Sequence, residues 1–81
     1  MEYKGIWAVS IKEIQKFFDK QEDIIYNGTN YTYKTCQIVI EKLEPKPFLN
    51  IPQTQIFMCG EEKDTQEIYQ KFFFHFLSAG G

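Results

Sequence analysis

The chain has 81 residues, of which 43% are hydrophobic and 17% aromatic, so length and composition predict one packed domain over residues 1–81 and exclude a disordered chain. Its nine basic residues are all lysines and its net charge is −2, which argues against proteins that read DNA with arginine. No apolar run is long enough to span a membrane, and two cysteines without a visible secretory signal predict a cytoplasmic protein with reduced thiols.

The first quarter of the chain predicts a strand followed by a helix. Residues 3–9 are mostly β-branched or aromatic, which is typical of a strand. Ser10 and Glu13 then match the S-x-x-E capping box, and apolar residues at helical spacing follow. We therefore expect a helix over about 11–20, with an apolar side toward the core.

A hairpin and a long strand are predicted next. Residues 23–26 form a short strand, and Asn27-Gly28 is a strong turn signal because both residues tolerate a positive φ. Residues 31–41 are expected to form one strand, so alternate side chains should leave opposite faces. One face would carry Tyr31, Tyr33, Thr35, Gln37 and Val39, and the other would carry Thr32, Lys34, Cys36, Ile38 and Ile40.

The second half of the chain predicts an irregular connection, a strand and a helix. Three prolines over 42–52 disfavour regular structure. Residues 54–59 alternate as a strand that ends at Gly60, and Asp64 or Thr65 is expected to cap the last helix. The apolar stripe of that helix comprises Ile68, Tyr69, Phe72, Phe73, Phe76 and Leu77.

The element order β-α-β-β-β-α predicts an α+β two-layer sandwich. We expect a roughly four-stranded, mainly antiparallel sheet with both helices on one face, and a ferredoxin-like arrangement without its last strand is one topology that fits. Cys36 and Cys59 then fall on opposite faces of the sheet. Because a disulfide needs Cβ atoms about 4 Å apart, both thiols are predicted to be free.

Neither a catalytic site nor a metal site is predicted. His75 is the only histidine and falls at the edge of the apolar stripe, and it lacks the spacing to the two cysteines that a zinc site needs. Glu61, Glu62 and Asp64 are explained by the positive end of the helix dipole. Because no glycine-rich phosphate loop is present either, we expect no enzymatic activity and no cofactor.

The terminal Gly80-Gly81 resembles the tail of the ubiquitin-like sulfur carriers, and that resemblance implies a carrier function. It covers these two residues only. The carriers begin with a hairpin and then a helix, whereas here a strand and a helix come first. A helix C-cap at Gly80 is therefore the preferred interpretation.

The placement of the aromatic residues predicts a binding surface. With the apolar set of each strand toward the helices, the far side of the sheet carries Tyr31, Tyr33, Gln37, Gln55 and Phe57. Phe74 falls on the outer side of the last helix. Tyrosine-rich patches on rigid sheets make good anchors for a partner. The alternative is that these are ordinary surface residues, because more than half of a folded surface consists of apolar atoms.

The sequence thus predicts a small non-catalytic module that binds a protein partner or a second copy of itself, as an inhibitor, adaptor or subunit. The alternative function is a single-stranded nucleic-acid binder that stacks bases on Tyr31, Tyr33 and Phe57. The acidic net charge counts against it, because basic residues supply the affinity for phosphates. A third interpretation is a small-molecule domain or an enzyme, for which the sequence contains no visible site.

Overall fold

The computed structural model describes residues 1–45, 48 and 50–80, and over these residues it shows five strands and two helices. The elements are β1 (Glu2–Trp7), α1 (Ile11–Asp19), β2 (Ile24–Tyr26), β3 (Tyr31–Tyr33), β4 (Cys36–Leu43), β5 (Gln53–Cys59) and α2 (Glu62–Gly80). The strands form one sheet in the order β1-β5-β4-β3-β2, and each neighbouring pair is antiparallel. The predicted α+β class is confirmed, with five strands instead of about four. The topology differs from a ferredoxin-like arrangement, whose βαβ units require parallel strands.

Both helices pack on one face of the sheet, as predicted, and we call this the inner face. The core comprises Ile14, Phe17, Phe18, Tyr31, Tyr33, Cys36, Ile38, Ile56, Met58, Ile68 and Phe72. Phe72 of α2 lies at its centre, with ring centroids 5.0 Å from Trp7, 5.8 Å from Phe17 and 5.8 Å from Phe18. The stripe predicted along α2 is buried at Ile68 and Phe72, whereas its last member, Leu77, is exposed.

The capping and turn motifs of the sequence correctly predict where α1 begins and where the first hairpin turns. Ser10 Oγ accepts a hydrogen bond of 3.3 Å from the backbone N–H of Glu13, as an N-cap does. Gly28 has a φ of 103°, and Asn27 Oδ1 accepts from the backbone N–H of Asn30 at 2.7 Å. The turn between β2 and β3 therefore lies where Asn27-Gly28 predicts it.

Residues 31–41 form two strands, and the prediction of one strand is wrong. Lys34 and Thr35 make a tight turn between β3 and β4, and the φ of Lys34 is 53°. A positive φ at the first central residue is typical of the turns that close two-residue hairpins. No glycine, proline or asparagine marks this turn, which is why sequence alternation runs straight through it.

The hairpin reverses the assignment of two tyrosines. Tyr33 pairs with Cys36 and Tyr31 pairs with Ile38 across the β3–β4 ladder. Directly paired residues share a face of the sheet, so both tyrosines lie on the inner face. The prediction that Tyr31 and Tyr33 point away from the helices is therefore wrong, whereas the inward direction of Cys36 and Ile38 is confirmed.

The first turn of α2 holds this hairpin turn in place. Asp64 Oδ2 accepts hydrogen bonds from the Thr35 hydroxyl at 2.6 Å and from the Thr35 backbone N–H at 3.2 Å. The Thr35 hydroxyl in turn accepts from the backbone N–H of Glu61 at 3.1 Å. The hydrogen bonds from Thr35 hold the pKa of Asp64 below its usual value.

The prediction that Asp64 or Thr65 caps α2 is wrong, because the helix begins at Glu62. The backbone N–H of Thr65 already donates to the Glu61 carbonyl at 2.9 Å. The Asp64 carboxylate binds the hairpin instead of the helix backbone.

The irregular connection predicted over 42–52 is shorter in the structure, because β4 continues to Leu43. Lys46, Pro47 and Leu49 of this connection lie outside the described residues.

Glu67, one turn further along α2, contacts the same hairpin. Its carboxylate accepts from the Tyr33 hydroxyl at 2.8 Å and from Lys34 Nζ at 3.2 Å. These two hydrogen bonds lower the pKa of Glu67, with Tyr33 the larger cause. Three consecutive hairpin residues are thus bound by two carboxylates of one helix.

Gly60, between β5 and α2, allows the helix start to approach the hairpin closely. A Cβ atom at this position would lie 2.6 Å from the Cα of Cys36 and 2.8 Å from the carbonyl oxygen of Thr35. Both are backbone atoms, which cannot move aside as a flexible side chain can. Only glycine fits without displacing the turn.

The two cysteines are free, as predicted. Cys36 is buried on the inner face, and Cys59 is half-buried on the opposite face. Desolvation raises the pKa of the Cys36 thiol.

The last helix, α2, runs to Gly80. Gly81, the second residue of the pair that resembles the tail of the sulfur carriers, lies outside the described residues.

The hydroxyls of Thr35 and Thr65 provide a matched test of the hairpin tie. Thr35→Val should lower the free energy of unfolding by about 1–2 kcal/mol, because it removes a hydrogen bond to a carboxylate. Thr65 Oγ1 is buried without a hydrogen-bond partner among the described residues. Thr65→Val should therefore leave stability unchanged or raise it by up to about 1 kcal/mol. Urea denaturation of both variants measures the difference, and equal losses would contradict the assignment.

The pKa shifts of Asp64 and Glu67 predict loss of stability in acid. Both pKa values lie below the usual values of 3.8 for Asp and 4.5 for Glu. Both ionised carboxylates therefore stabilise the fold fully when the pH is above these usual values. That contribution is lost as the pH falls through the lowered pKa values of the folded protein. We expect the free energy of unfolding to decline below pH 4.5.

Urea denaturation at a series of pH values measures this decline. The combined variant Asp64→Asn, Glu67→Gln should be less stable at neutral pH and should show a flatter curve in acid. Glu41→Gln is the control, since Glu41 lies on the opposite face of the sheet, away from the hairpin. A decline as steep in the combined variant as in the wild type would place the acid-sensitive groups elsewhere.

Candidate functional site

The outer face of the sheet lies opposite the two helices, and no described element packs against it. The strand register arranges its side chains in rows across the sheet. The first row crosses all five strands with Glu2, Cys59, Gln37, Thr32 and Ile25. The second row holds Lys4, Phe57 and Val39, and the third holds Ile6, Gln55 and Glu41.

Three apolar side chains are neighbours on this face, from the edge strand β1 to the central strand β4, and we call Ile6, Val39 and Phe57 the outer strip. Phe57 is directly opposite Val39 on β4 and is a diagonal neighbour of Ile6 on β1. Such neighbours are within reach of an aromatic ring. Ile6 is 60% exposed and Val39 is 38% exposed, while Phe57 is half-buried. The outer strip therefore presents apolar surface to solvent across three strands.

Polar side chains border the outer strip. Gln37 precedes Val39 on the same face of β4, and its Oε1 accepts from the Thr32 hydroxyl at 3.2 Å. Gln55 occupies the corresponding position beside Phe57 on β5. An apolar centre bordered by amides and charges is the usual composition of a protein interface.

The structure brings together three of the six residues predicted for partner binding. Gln37, Gln55 and Phe57 share the outer face. Phe74 is 63% exposed but lies on α2, in the other layer, so it does not join them. Tyr31 and Tyr33 are in the core, with 3% and 2% exposure.

The two buried tyrosines have structural contacts that explain their polar ends. The Tyr31 hydroxyl donates to Asp19 Oδ1 at 3.2 Å, and desolvation together with the Asp19 charge raises the pKa of Tyr31 to about 12. The Tyr33 hydroxyl donates to Glu67, and this hydrogen bond raises the pKa of Tyr33. Both hydroxyls thus remain protonated donors that connect the sheet to the helices.

Burial of these rings removes the stacking surface on which the nucleic-acid interpretation was based. The ring of Tyr31 packs against Phe18, with centroids 5.2 Å apart. A nucleobase has no access to either tyrosine face while the helices remain packed. Of the three aromatic residues assigned to stacking, only Phe57 lies on the outer face.

Ile6 is the site residue that the sequence analysis missed, because the facing of the first strand was not assigned. Trp7 points inward and lies edge-on to Phe72. By alternation, Glu2, Lys4 and Ile6 point outward, and all three are exposed. Two charged residues at alternate positions of β1 were the signal for its outward side.

A cavity of about 400 Å³ lies between the start of α1 and the facing ends of β4 and β5. Its described lining comprises Ser10, Ile11, Lys12, Lys42, Leu43, Pro45, Asn50, Pro52 and Gln53. The Ser10 hydroxyl is already used as the α1 cap, and no carboxylate or histidine accompanies it in this lining. The cavity therefore assembles no acid–base pair.

Comparisons of this chain with protein-family models, with curated proteins and with solved structures found no significant match. None of the helices over the described residues is long and apolar enough to cross a membrane. Within the same part of the chain, no three His, Cys, Asp or Glu side chains are grouped so that they could hold a metal ion. The outer face is thus a candidate binding site because of the register and the exposure of its own side chains alone.

The corrected positions of Tyr31 and Tyr33 lead to a stability prediction. Truncating both rings to alanine should unfold the protein, because loss of a buried aromatic side chain costs about 3–5 kcal/mol and small domains have few kcal/mol to lose. Ile38→Ala, another core truncation, should cost about 2–5 kcal/mol. Phe57→Ala, on the outer face, should cost less than either. Thermal melts followed by circular dichroism rank the variants, and a folded double tyrosine variant would contradict the structure.

Proposed function

We propose that this protein is a small non-catalytic module that binds another protein through the outer face of its sheet. It would act as an inhibitor, adaptor or subunit. The observation that carries the proposal is the outer strip, which exposes apolar side chains from three adjacent strands on a face that no described element covers. Antiparallel sheets with one solvated face are expected to place polar residues there.

The chemistry of this face favours a protein as the partner. Lys4 is the only cation in the rows around the outer strip, and Glu2 and Glu41 supply two negative charges. A nucleic acid would need an excess of positive charge to gain affinity from its phosphates. Amide side chains at Gln37 and Gln55 can instead both donate to and accept from a polypeptide.

The rigidity of the surface supports the same conclusion. The outer strip belongs to the paired strands β1, β4 and β5, so its backbone is ordered before a partner arrives. Preorganised side chains lose less entropy on binding than side chains on a loop. An intracellular location is part of the proposal, because two free thiols suit a reducing compartment.

The decisive experiment compares capture by two matched variants. Phe57→Ser removes the aromatic ring of the outer face, and Phe74→Ser removes an exposed ring from the opposite layer. Each variant and the wild type are immobilised and exposed to extract of the source cells, once untreated and once treated with nuclease, and bound proteins are quantified by mass spectrometry. Titration with the purified partner then gives the affinity of each form.

We expect Phe57→Ser to weaken binding at least about tenfold, the effect of losing a central interface anchor, and Phe74→Ser to bind as the wild type does. Thermal melts confirm that both variants are folded. A partner that is lost with Phe74→Ser and retained with Phe57→Ser would move the docking surface to α2. Binding that depends on neither ring, or that disappears after nuclease treatment, would refute the proposal.

A further inference from the structure

The strand β1 is an open edge of the sheet, and its backbone can pair with a further strand. It is six residues long, is paired with β5 on one side and contains no proline. The opposite edge, β2, has only three residues. Edge strands of soluble proteins are commonly short, bulged or covered, because their free N–H and C=O groups bind other strands. Among the described residues β1 is not short, bulged or covered. It does carry charged side chains, which can also keep other strands from an edge, but Glu2 and Lys4 have opposite signs.

The hydrogen bonds to β5 define which backbone groups of β1 are free. The nitrogen of Met1 donates to the Gly60 carbonyl at 2.7 Å, and the nitrogen of Gly60 donates to the Met1 carbonyl at 3.1 Å. This mutual exchange makes Met1 and Gly60 a hydrogen-bonded pair of the antiparallel ladder, and such pairs recur at every second residue. The backbone groups of Glu2, Lys4 and Ile6 therefore point away from β5, to the open edge.

Pairing with a second copy about a two-fold axis permits few registers. Hydrogen-bonded pairs across the new interface must join two outward-pointing residues. One register places Lys4 opposite Lys4 of the second copy, which sets like charges against each other. Another places Glu2 opposite Lys4 of the second copy, and the symmetry repeats that contact as Lys4 opposite Glu2. Only this second register matches opposite charges at both positions.

Neither charge is neutralised by an opposite charge among the described residues of the same chain, although Glu2 Oε1 accepts a long contact of 3.9 Å from the Cys59 thiol. Glu2 and Lys4 are exposed on the outer face, and neither is in a salt bridge within the described part of the chain. In this register Tyr3 meets its symmetry mate on the inner face. The Tyr3 ring lies 4.5 Å from that of Tyr69, which is half-buried on α2, so the second copy would also cover aromatic surface above the edge.

We propose that β1 pairs antiparallel with β1 of a second copy, with Glu2 of each chain opposite Lys4 of the other. The two sheets join into one ten-stranded sheet, given five strands in each copy. The contact uses the sheet edge and leaves both outer faces open and side by side. The dimer is thus independent of the partner surface proposed above.

Charge exchange tests this register in the whole chain without an N-terminal tag. Sedimentation velocity is recorded over a dilution series that extends to millimolar protein. Glu2→Lys places Lys opposite Lys, and Lys4→Glu places Glu opposite Glu. Each single variant should dimerise at least about tenfold more weakly than the wild type, because two attractive pairs become repulsive. The double variant, Glu2→Lys with Lys4→Glu, should recover wild-type dimerisation.

Mixing the two single variants gives the most selective result. One chain then carries two cations and the other two anions at these positions, so a heterodimer should form where each variant alone is monomeric. Hydrogen exchange adds a second readout, since the backbone amides of Glu2 and Lys4 should become protected as the wild-type concentration rises.

Three outcomes would overturn the proposal. The first is a wild-type chain that stays monomeric at millimolar concentration, and the second is a dimer that is insensitive to all the charge variants. The third is a dimer that Phe57→Ser dissociates while the amides of Glu2 and Lys4 stay unprotected, which would place self-association on the outer face. Melts of each variant confirm that the exposed substitutions leave the fold intact.

Discussion

The carboxylate of Asp64 and the turn residue Thr35 form the contact that stabilises the position of two of the five strands, β3 and β2. Their hydrogen bonds, at 2.6 Å and 3.2 Å, join the start of α2 to the β3–β4 turn. Gly60 allows the backbones to approach closely enough for this contact. Because the turn reverses the chain, β3 returns beside β4 and carries β2 with it. The turn that this contact stabilises separates β3 from β4 and places Tyr31 and Tyr33 on the inner face.

The same contact decides which aromatic residues lie in the core and which lie on the outer face. With two tyrosines turned inward, the aromatic residues of the inner face and the helices form one continuous core around Phe72. The outer face keeps a single aromatic ring, Phe57, among aliphatic, amide and charged side chains. The two contacts proposed above therefore differ in kind. The outer face offers side chains that a partner would recognise by shape, and β1 offers backbone groups that a second strand would pair with.

Several features were predictable from the sequence because neighbouring residues determine them. The Ser10 cap, the Asn27-Gly28 turn and the alternation of β5 each depend on residues within a few positions of one another. They were enough to establish the α+β class, both helices on one face and the free cysteines. The outward positions of Gln37, Gln55 and Phe57 follow from the same alternation.

The tertiary structure alone decided the turn at Lys34 and Thr35, and with it the burial of Tyr31 and Tyr33 on the inner face of the sheet. A lysine at a φ of 53° carries no turn signal of its own. The groups that stabilise it, Asp64 and Glu67, lie 29 and 33 residues further along the chain from the atoms that they bind. Local propensity reports energies between near neighbours, whereas this turn is stabilised by hydrogen bonds to a helix that must first pack against the sheet. The sequence by itself therefore determined where chain segments prefer helix or strand, and only the folded contact decided where the longest predicted strand reverses.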